Sequence, residues 1–390
     1  MVNRTISKTL TSLAGSYPVI TITGPRQSGK TTLAKSVFKN KPYYNLENVD
    51  EREFAAADPK AFLERSPRGA VLDEIQRAPD LMSYIQTIVD EKQNPGMFVL
   101  TGSQNLNLLA NITQSLAGRT AILKLLPFSL KETNSYKKPF SVSDHILNGF
   151  FPAVYEKKLD PTIFYRNYYE TYIERDLRQL LNIKNLNLFQ IFVRLCAGRI
   201  GQLFNASSLA NEVGVSAATI NSWISILEAS FIIFFIKPYH ENINKRVVKS
   251  RKIYFSDIGL ASYLLELENT RQLTSHPLRG QLFENLVIIE LIKSRYNKGL
   301  DHNLYFYRDS NKNEVDVLFK HGAKLTPIEI KSALTFNTEF LKSLSYIKKI
   351  LPDKIDNGFL IYGGETEQVV RKNKVINYKN AGEILDLYGG

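Results

Sequence analysis

Short apolar runs and helical spacings alternate over the first third of the chain. Residues 19–23 (VITIT) form a β-branched run that leads through a glycine-containing stretch into the helix-like TLAKSVF. Residues 69–74 (GAVLDE) read as a small apolar strand closing on two acids, and 97–100 as a third strand ending in TGSQ. A helical stretch over 106–116 leads to AGR and then to the strand-like AILKLL. The spacing then turns helical. Residues 152–181 carry aromatics at mixed helical intervals. Residues 188–197, 207–213 and 216–229 read as three further helices, the second beginning at a serine cap. Gly214 and Val215 make a turn between the last two, and 231–236 gives a strand, so 186–240 has the shape of a winged helix-turn-helix. Strand patterns return towards the C-terminus. Residues 253–265 suit a strand and a short helix, 280–287 an amphipathic helix bearing Glu284, and 304–308 a strand. Residues 314–319 read as a strand with Asp316 inside an apolar alternation. Residues 327–332 form a last strand on which Glu329 and Lys331 face the same way.

Composition narrows the class. The chain has 390 residues, 44% hydrophobic and 23% charged. That is an ordinary globular balance with room for roughly two to four domains. The N-terminal segment has no long apolar core or cleavage signature, and no apolar run approaches bilayer length, so no membrane partner and a cytoplasmic location are expected. The single cysteine, Cys196, leaves no internal disulfide and no cysteine-based zinc site. A net charge of +12 points to a polyanionic partner, nucleic acid above all, although a lysine-rich protein without one gives the same figure.

Gly24-Pro25-Arg26-Gln27-Ser28-Gly29-Lys30-Thr31 fits GxxxxGK[ST] in a strand–loop–helix setting. The glycines let the loop turn its N–H groups towards phosphate oxygens, and the N-terminus of the following helix, with Thr32, adds to the cradle. Lys30 is expected to reach the β- and γ-phosphates of ATP, and Thr31 to ligate Mg2+. Asp73 and Glu74 close an apolar strand, where Asp73 suits the metal and Glu74 suits polarising the attacking water. Ser103, with Gln104 close behind, suits sensing the γ-phosphate. Arg119, at the end of a helix before a strand, suits an arginine finger acting on a neighbouring subunit's ATP; a structural arginine capping that helix is the competing reading.

The order of these pieces resembles the AAA+ class of ATPases. More narrowly, it resembles the bacterial and archaeal AAA family whose C-terminal half is a domain of uncertain function, DUF4143. The residues that carry this are GPRQSGKTTL, VLDEIQ, LTGSQ, SLAGR followed by LPFS, GFFP at 149–152 and YIERDL at 172–177. The first two are common to P-loop proteins, and the later ones in this order narrow the family. The resemblance spans nearly the whole chain and implies an α/β protein. It implies a P-loop AAA+ domain with a parallel sheet over 1–130, a helical segment over 131–181, a helical lid or winged helix-turn-helix over 182–252, and an α/β nuclease-like domain over 253–390. It also implies ATP with Mg2+ and a homo-oligomer such as a hexameric ring.

The helix-turn-helix carries no lysine or arginine from Leu203 to Ile236, so its third helix offers only Thr219, Asn221 and Ser222 to a base edge. Cations follow at Lys237, Lys245, Arg246, Lys249, Arg251 and Lys252. A wing that grips DNA phosphates without reading sequence is one expectation, and a subunit-contact role is the equal alternative. The compact charges Glu174-Arg175-Asp176 suit a nucleotide or subunit contact as well as a solvated helix face.

A helix glutamate, a strand aspartate and a strand E-x-K in this order resemble the PD-(D/E)xK phosphodiesterase fold. That resemblance implies Mg2+ or Mn2+ held by Asp316, Glu329 and Glu284, with Lys331 steadying developing charge. Three functions follow: an ATP-hydrolysing AAA+ protein that binds or remodels DNA, an ATP-gated metal-dependent nuclease, and an ATP-driven switch that binds a protein partner.

Overall fold

The computed structural model describes residues 2–103, 115–136, 140–177, 185–239 and 250–388. Gln104, most of the 106–116 helix, the end of the 152–181 helical segment and the cations Lys245, Arg246 and Lys249 lie outside the described residues, as do the side chains of Glu174, Arg175 and Asp176. The chain forms two compact units, Met1–Phe128 with Ala229–Phe231 and Tyr296–Leu300, and Ser129–Glu228 with Ile232–Arg295 and Asp301–Gly390. Among the described residues no helix is long and apolar enough to cross a membrane.

The first unit is built on five parallel strands: β1 (Val19–Thr23), β2 (Tyr43–Asn45), β3 (Val71–Asp73), β4 (Phe98–Gly102) and β5 (Thr120–Lys124). Their order is β2-β3-β4-β1-β5. β1 is buried along its whole length because helices cover both faces of such a sheet, which is why VITIT is continuously apolar or β-branched instead of alternating. Ile20 and Ile22 pack with Leu33, Ala34 and Leu123 in one core, and Val19, Leu72 and Leu100 with Ile85 in another. β4 lies between β1 and β3. The carboxyl ends of these three neighbours therefore set the glycine loop, the Thr101–Gly102–Ser103 end of β4 and Asp73-Glu74 along one edge.

The second unit holds helices Leu186–Ala197, Ala206–Val213 and Ala217–Ala229. The middle one starts earlier than its expected serine cap: Asn205 caps it, accepting from Ser208 N at 3.0 Å. Gly214 ends it in the left-handed region at φ 79°. The strands are β6 (Ile233–Pro238), β7 (Lys252–Phe255), β8 (Leu304–Arg308), β9 (Glu314–His321), β10 (Lys324–Lys331), β11 (Phe359–Tyr362), β12 (Gln368–Val370) and β13 (Asn373–Asn377). They form one eight-stranded sheet in the order β12-β13-β11-β10-β9-β8-β6-β7. The expected boundary at 252/253 thus cuts β7. The strand expected as a wing, β6, pairs antiparallel with β7 and parallel with β8, so ladder hydrogen bonds make it part of the C-terminal sheet.

The GFFP turn has a local cause. Gly149 sits at φ 57°, where a Cβ would fall 1.9 Å from Tyr165 Oη and 2.3 Å from Asp257 Oδ1. Asp257 is buried there, accepting from Phe150 N at 2.8 Å and from Tyr165 Oη at 2.6 Å.

Candidate functional site

The loop after β1 is shaped by close approach. Gly24 has φ 153°, and a Cβ on it would fall 2.1 Å from Leu125 O. Gln27 (φ 63°) and Gly29 (φ 95°) are left-handed, and Gly29 caps the helix Lys30–Val37. The buried Arg4 supports the loop, donating to Ser28 O at 2.8 Å and Leu126 O at 2.6 Å. Lys30 is buried and folded back, its Nζ donating to Gly24 O at 3.1 Å and Pro25 O at 2.9 Å. Burial lowers its pKa to about 8 against the opposing pull of Glu74 and Asp73. Ser28 Oγ is buried and takes no hydrogen bond among the described residues. Arg26 pairs with Glu47 at 3.5 Å on the exposed side, and Thr32 is exposed.

Asp73 is saturated with donors. Thr31 Oγ1 lies 2.9 Å from its Oδ2 and 3.1 Å from Oδ1, Tyr43 Oη donates to Oδ2 at 2.6 Å, and Thr101 Oγ1 donates to Oδ1. Burial, then the Asp73 contact, raises the Tyr43 pKa and keeps the phenol protonated. Glu74 turns aside into the left-handed region at φ 56°. Its Oε2 accepts from Ser103 Oγ at 3.0 Å and from Gln76 Nε2. Lys30, Thr31, Asp73, Glu74 and Ser103 are thus linked on one edge of the sheet. The residues fit Mg-ATP: a hydroxyl and a carboxylate side by side, a buried ammonium, an unused buried hydroxyl and a glycine where a Cβ cannot stand. Tyr43, Thr101 and Gln76 belong to the same network.

Arg119 stands elsewhere. Its O accepts from Val19 N at 3.2 Å, which puts it at the amino end of β1, away from the loop. Its guanidinium holds Asp90 by two bonds, 2.5 Å and 2.8 Å, and donates to Ala117 O at 3.1 Å.

In the second unit Glu284, Asp316, Glu329 and Lys331 do meet. Asp316 lies one step past the last antiparallel pair of β9 and β10, Val317 with Ile328, and its Oδ2 accepts from Ile330 N at 2.8 Å. Lys331 Nζ is 2.5 Å from Glu329 Oε1 and 4.0 Å from Asp316 Oδ2, and Ser343 Oγ donates to Glu329 Oε2 at 2.6 Å. Lys252, expected among the DNA-facing cations of the wing, is instead buried here: β7 ends the sheet beside β6, and all four of its residues are buried. Its Nζ lies 2.5 Å from Glu314 Oε1 and 3.3 Å from Glu284 Oε1, and Tyr254 Oη donates to Glu284 Oε1 at 2.5 Å. Burial works against the Lys252 charge, but Glu284 and Glu314 outweigh it and raise the pKa. Burial and Asp316 push Glu329 up to about 8, while burial, eased by Lys252, leaves Glu284 at about 6. The ammonium groups fill the spaces between the carboxylates. Among the described residues no three acids, histidines or cysteines are set to hold one metal ion, so the expected metal set stands here as an ion-pair network.

Three family models match successive stretches of the chain. An AAA domain matches residues 16–134, a domain of unknown function (DUF8612) matches 140–271, and a second one (DUF4143) matches 279–381. Uncharacterized proteins of Mycobacterium bovis and Mycobacterium tuberculosis are each 30% identical over 325 residues, covering 82% of this chain and 71% of theirs. The solved Walker-type ATPase of Pyrococcus abyssi is 14% identical, covers 67% of this chain and 94% of its own, and superposes at a TM-score of 0.41. With the P-loop, the parallel sheet and the C-terminal domain in this order, the chain belongs to the AAA-family ATPases that carry a DUF4143 domain.

Proposed function

We propose that the chain hydrolyses ATP at the Lys30–Glu74 edge and applies the cycle to nucleic acid. The observation that carries the hydrolytic part is the pairing of Thr31 with Asp73 beside a Glu74 carboxylate held by Ser103. Lys30, once released from the two loop carbonyls, binds the polyphosphate, and the loop N–H groups with Ser28 Oγ take its oxygens. Thr31 and Asp73 would hold Mg2+, which would supply neutralisation of polyphosphate charge. Tyr43 and Thr101 fix the orientation of the Asp73 carboxylate. Glu74 takes a proton from the attacking water, and Ser103 sets the angle of that carboxylate. Arg119 completes the site of a second copy in a homo-oligomer.

Nucleic acid is supported by the net charge of +12. Glu74→Gln tests the reading at its base. Binding of a labelled ATP analogue should stay within about threefold, while kcat falls by about 100-fold or more, since only transition-state help is removed. Unchanged turnover in that variant would remove Glu74 from the mechanism.

A further inference from the structure

Beside the ion-pair network lies a cleft of about 620 Å³ between the helix Lys342–Ile350 and the turn that joins β8 to β9. Its inner wall carries Glu314 and Ser343, the residues that touch Lys252 and Glu329. Its mouth carries Lys312, Lys342, Lys349 and Arg371, all exposed. Lys342 pairs with Glu339 on its own turn of chain. No carboxylate pairs with Lys312, Lys349 or Arg371 among the described residues. Tyr346 lines the cleft between these cations, half-buried, and its ring is fixed by the hydroxyl's bond to Asp309 Oδ2 at 2.5 Å.

We infer that this cleft takes a single strand of nucleic acid, with phosphates on Lys312, Lys349 and Arg371 and a base against the Tyr346 ring. The inference rests on the proposed reading of the chain as an ATPase that acts on nucleic acid, and adds which form it holds and where. Three unmatched cations around a recess complement a polyanion, and a fixed aromatic ring between them offers a stacking face that any base accepts. The size selects the single strand. A recess of about 620 Å³ is of the volume that encloses small ligands, so it admits a nucleotide or two of flexible chain but not a duplex about 20 Å across.

The test uses the full chain and a fluorescein-labelled 20-nucleotide oligo(dT), with anisotropy titrations from 50 to 300 mM KCl and a duplex of equal length beside it. Each phosphate contact on a single strand adds about 0.7 to the log–log salt slope. A Lys312→Ala/Lys349→Ala/Arg371→Ala variant should lose about 2 from that slope and bind at least about tenfold more weakly at 100 mM, with its melting temperature unchanged. If the triple variant fails to fold, Lys349→Ala alone should lose about 0.7. Wild-type binding that the variants leave intact places the strand elsewhere and overturns the cleft, while the nucleic-acid reading survives. A wild-type chain that binds no oligonucleotide overturns both. Tighter duplex binding, weakened equally by the variants, overturns the single-strand assignment.

Discussion

Lys30 is the residue on which charge and position meet most closely. It is buried, and burial favours losing the proton, while the bonds of its ammonium to two carbonyls of its own loop and the charges of Glu74 and Asp73 oppose that loss. The pKa falls from 10.5 to about 8. Between those values the unfolded chain keeps a proton that the folded chain has released, so this lysine makes stability rise with pH across that window. The same shift has a functional consequence. A bound polyphosphate places negative charge on the ammonium and restores its proton. At pH 8.5 ATP binding should therefore take up a measurable fraction of a proton, and at pH 6.5 much less. Calorimetry in buffers of different ionisation enthalpy reads this directly. Zero uptake at pH 8.5 would mean that the loop carbonyls hold the charged form and that burial does not govern Lys30.

At the scale of elements, the loop between β1 and the helix Lys30–Val37 depends on one backbone approach. Gly24→Ala puts a methyl 2.1 Å from Leu125 O, a backbone atom fixed by β5, so the loop must move rather than the neighbour. The cost should be about 2 kcal/mol or more in urea unfolding, with ATP affinity down at least tenfold. A variant with native stability and affinity would show that the loop has a second conformation of equal energy. This loop was legible in the sequence because its constraint is local: a buried strand, a glycine that must approach another strand, and a helix start lie within a few residues of one another. The acids of β3 and the polar end of β4 were legible for the same reason, as was the sequence of strands from β7 to β10. Tyr43 was not. β2 has three half-buried residues at the sheet edge, too few to show a period, yet its register with β3 aims the phenol at Asp73. Lys252 was misread for a related reason. It follows a row of exposed-looking cations, and only the pairing of β7 with β6 turns it inward to Glu284 and Glu314. Long-range register decided both residues, and single-sequence spacing does not encode it.

For the whole molecule the open question is whether one copy completes the site. Arg119 precedes β5, and Lys124 at the far end of that strand pairs with Thr23 beside the loop. Five residues of strand put Arg119 about 16 Å from its own loop, beyond the reach of an arginine side chain. Any catalytic use of this guanidinium must therefore be on another copy, and it must first release Asp90. Such an arginine in a phosphoryl-transfer site contributes about 10³-fold or more to kcat. Arg119→Ala should thus lose most turnover while still binding ATP, and Lys30→Ala should lose ATP binding while still presenting Arg119. Mixed together, the two inactive proteins should recover activity, because hybrid assemblies pair an intact loop with an intact arginine. Native mass measurement of the mixture would show those hybrids directly. Full turnover in Arg119→Ala, with a lower melting temperature, would assign the residue to the Asp90 bridge alone and leave each copy to hydrolyse ATP by itself.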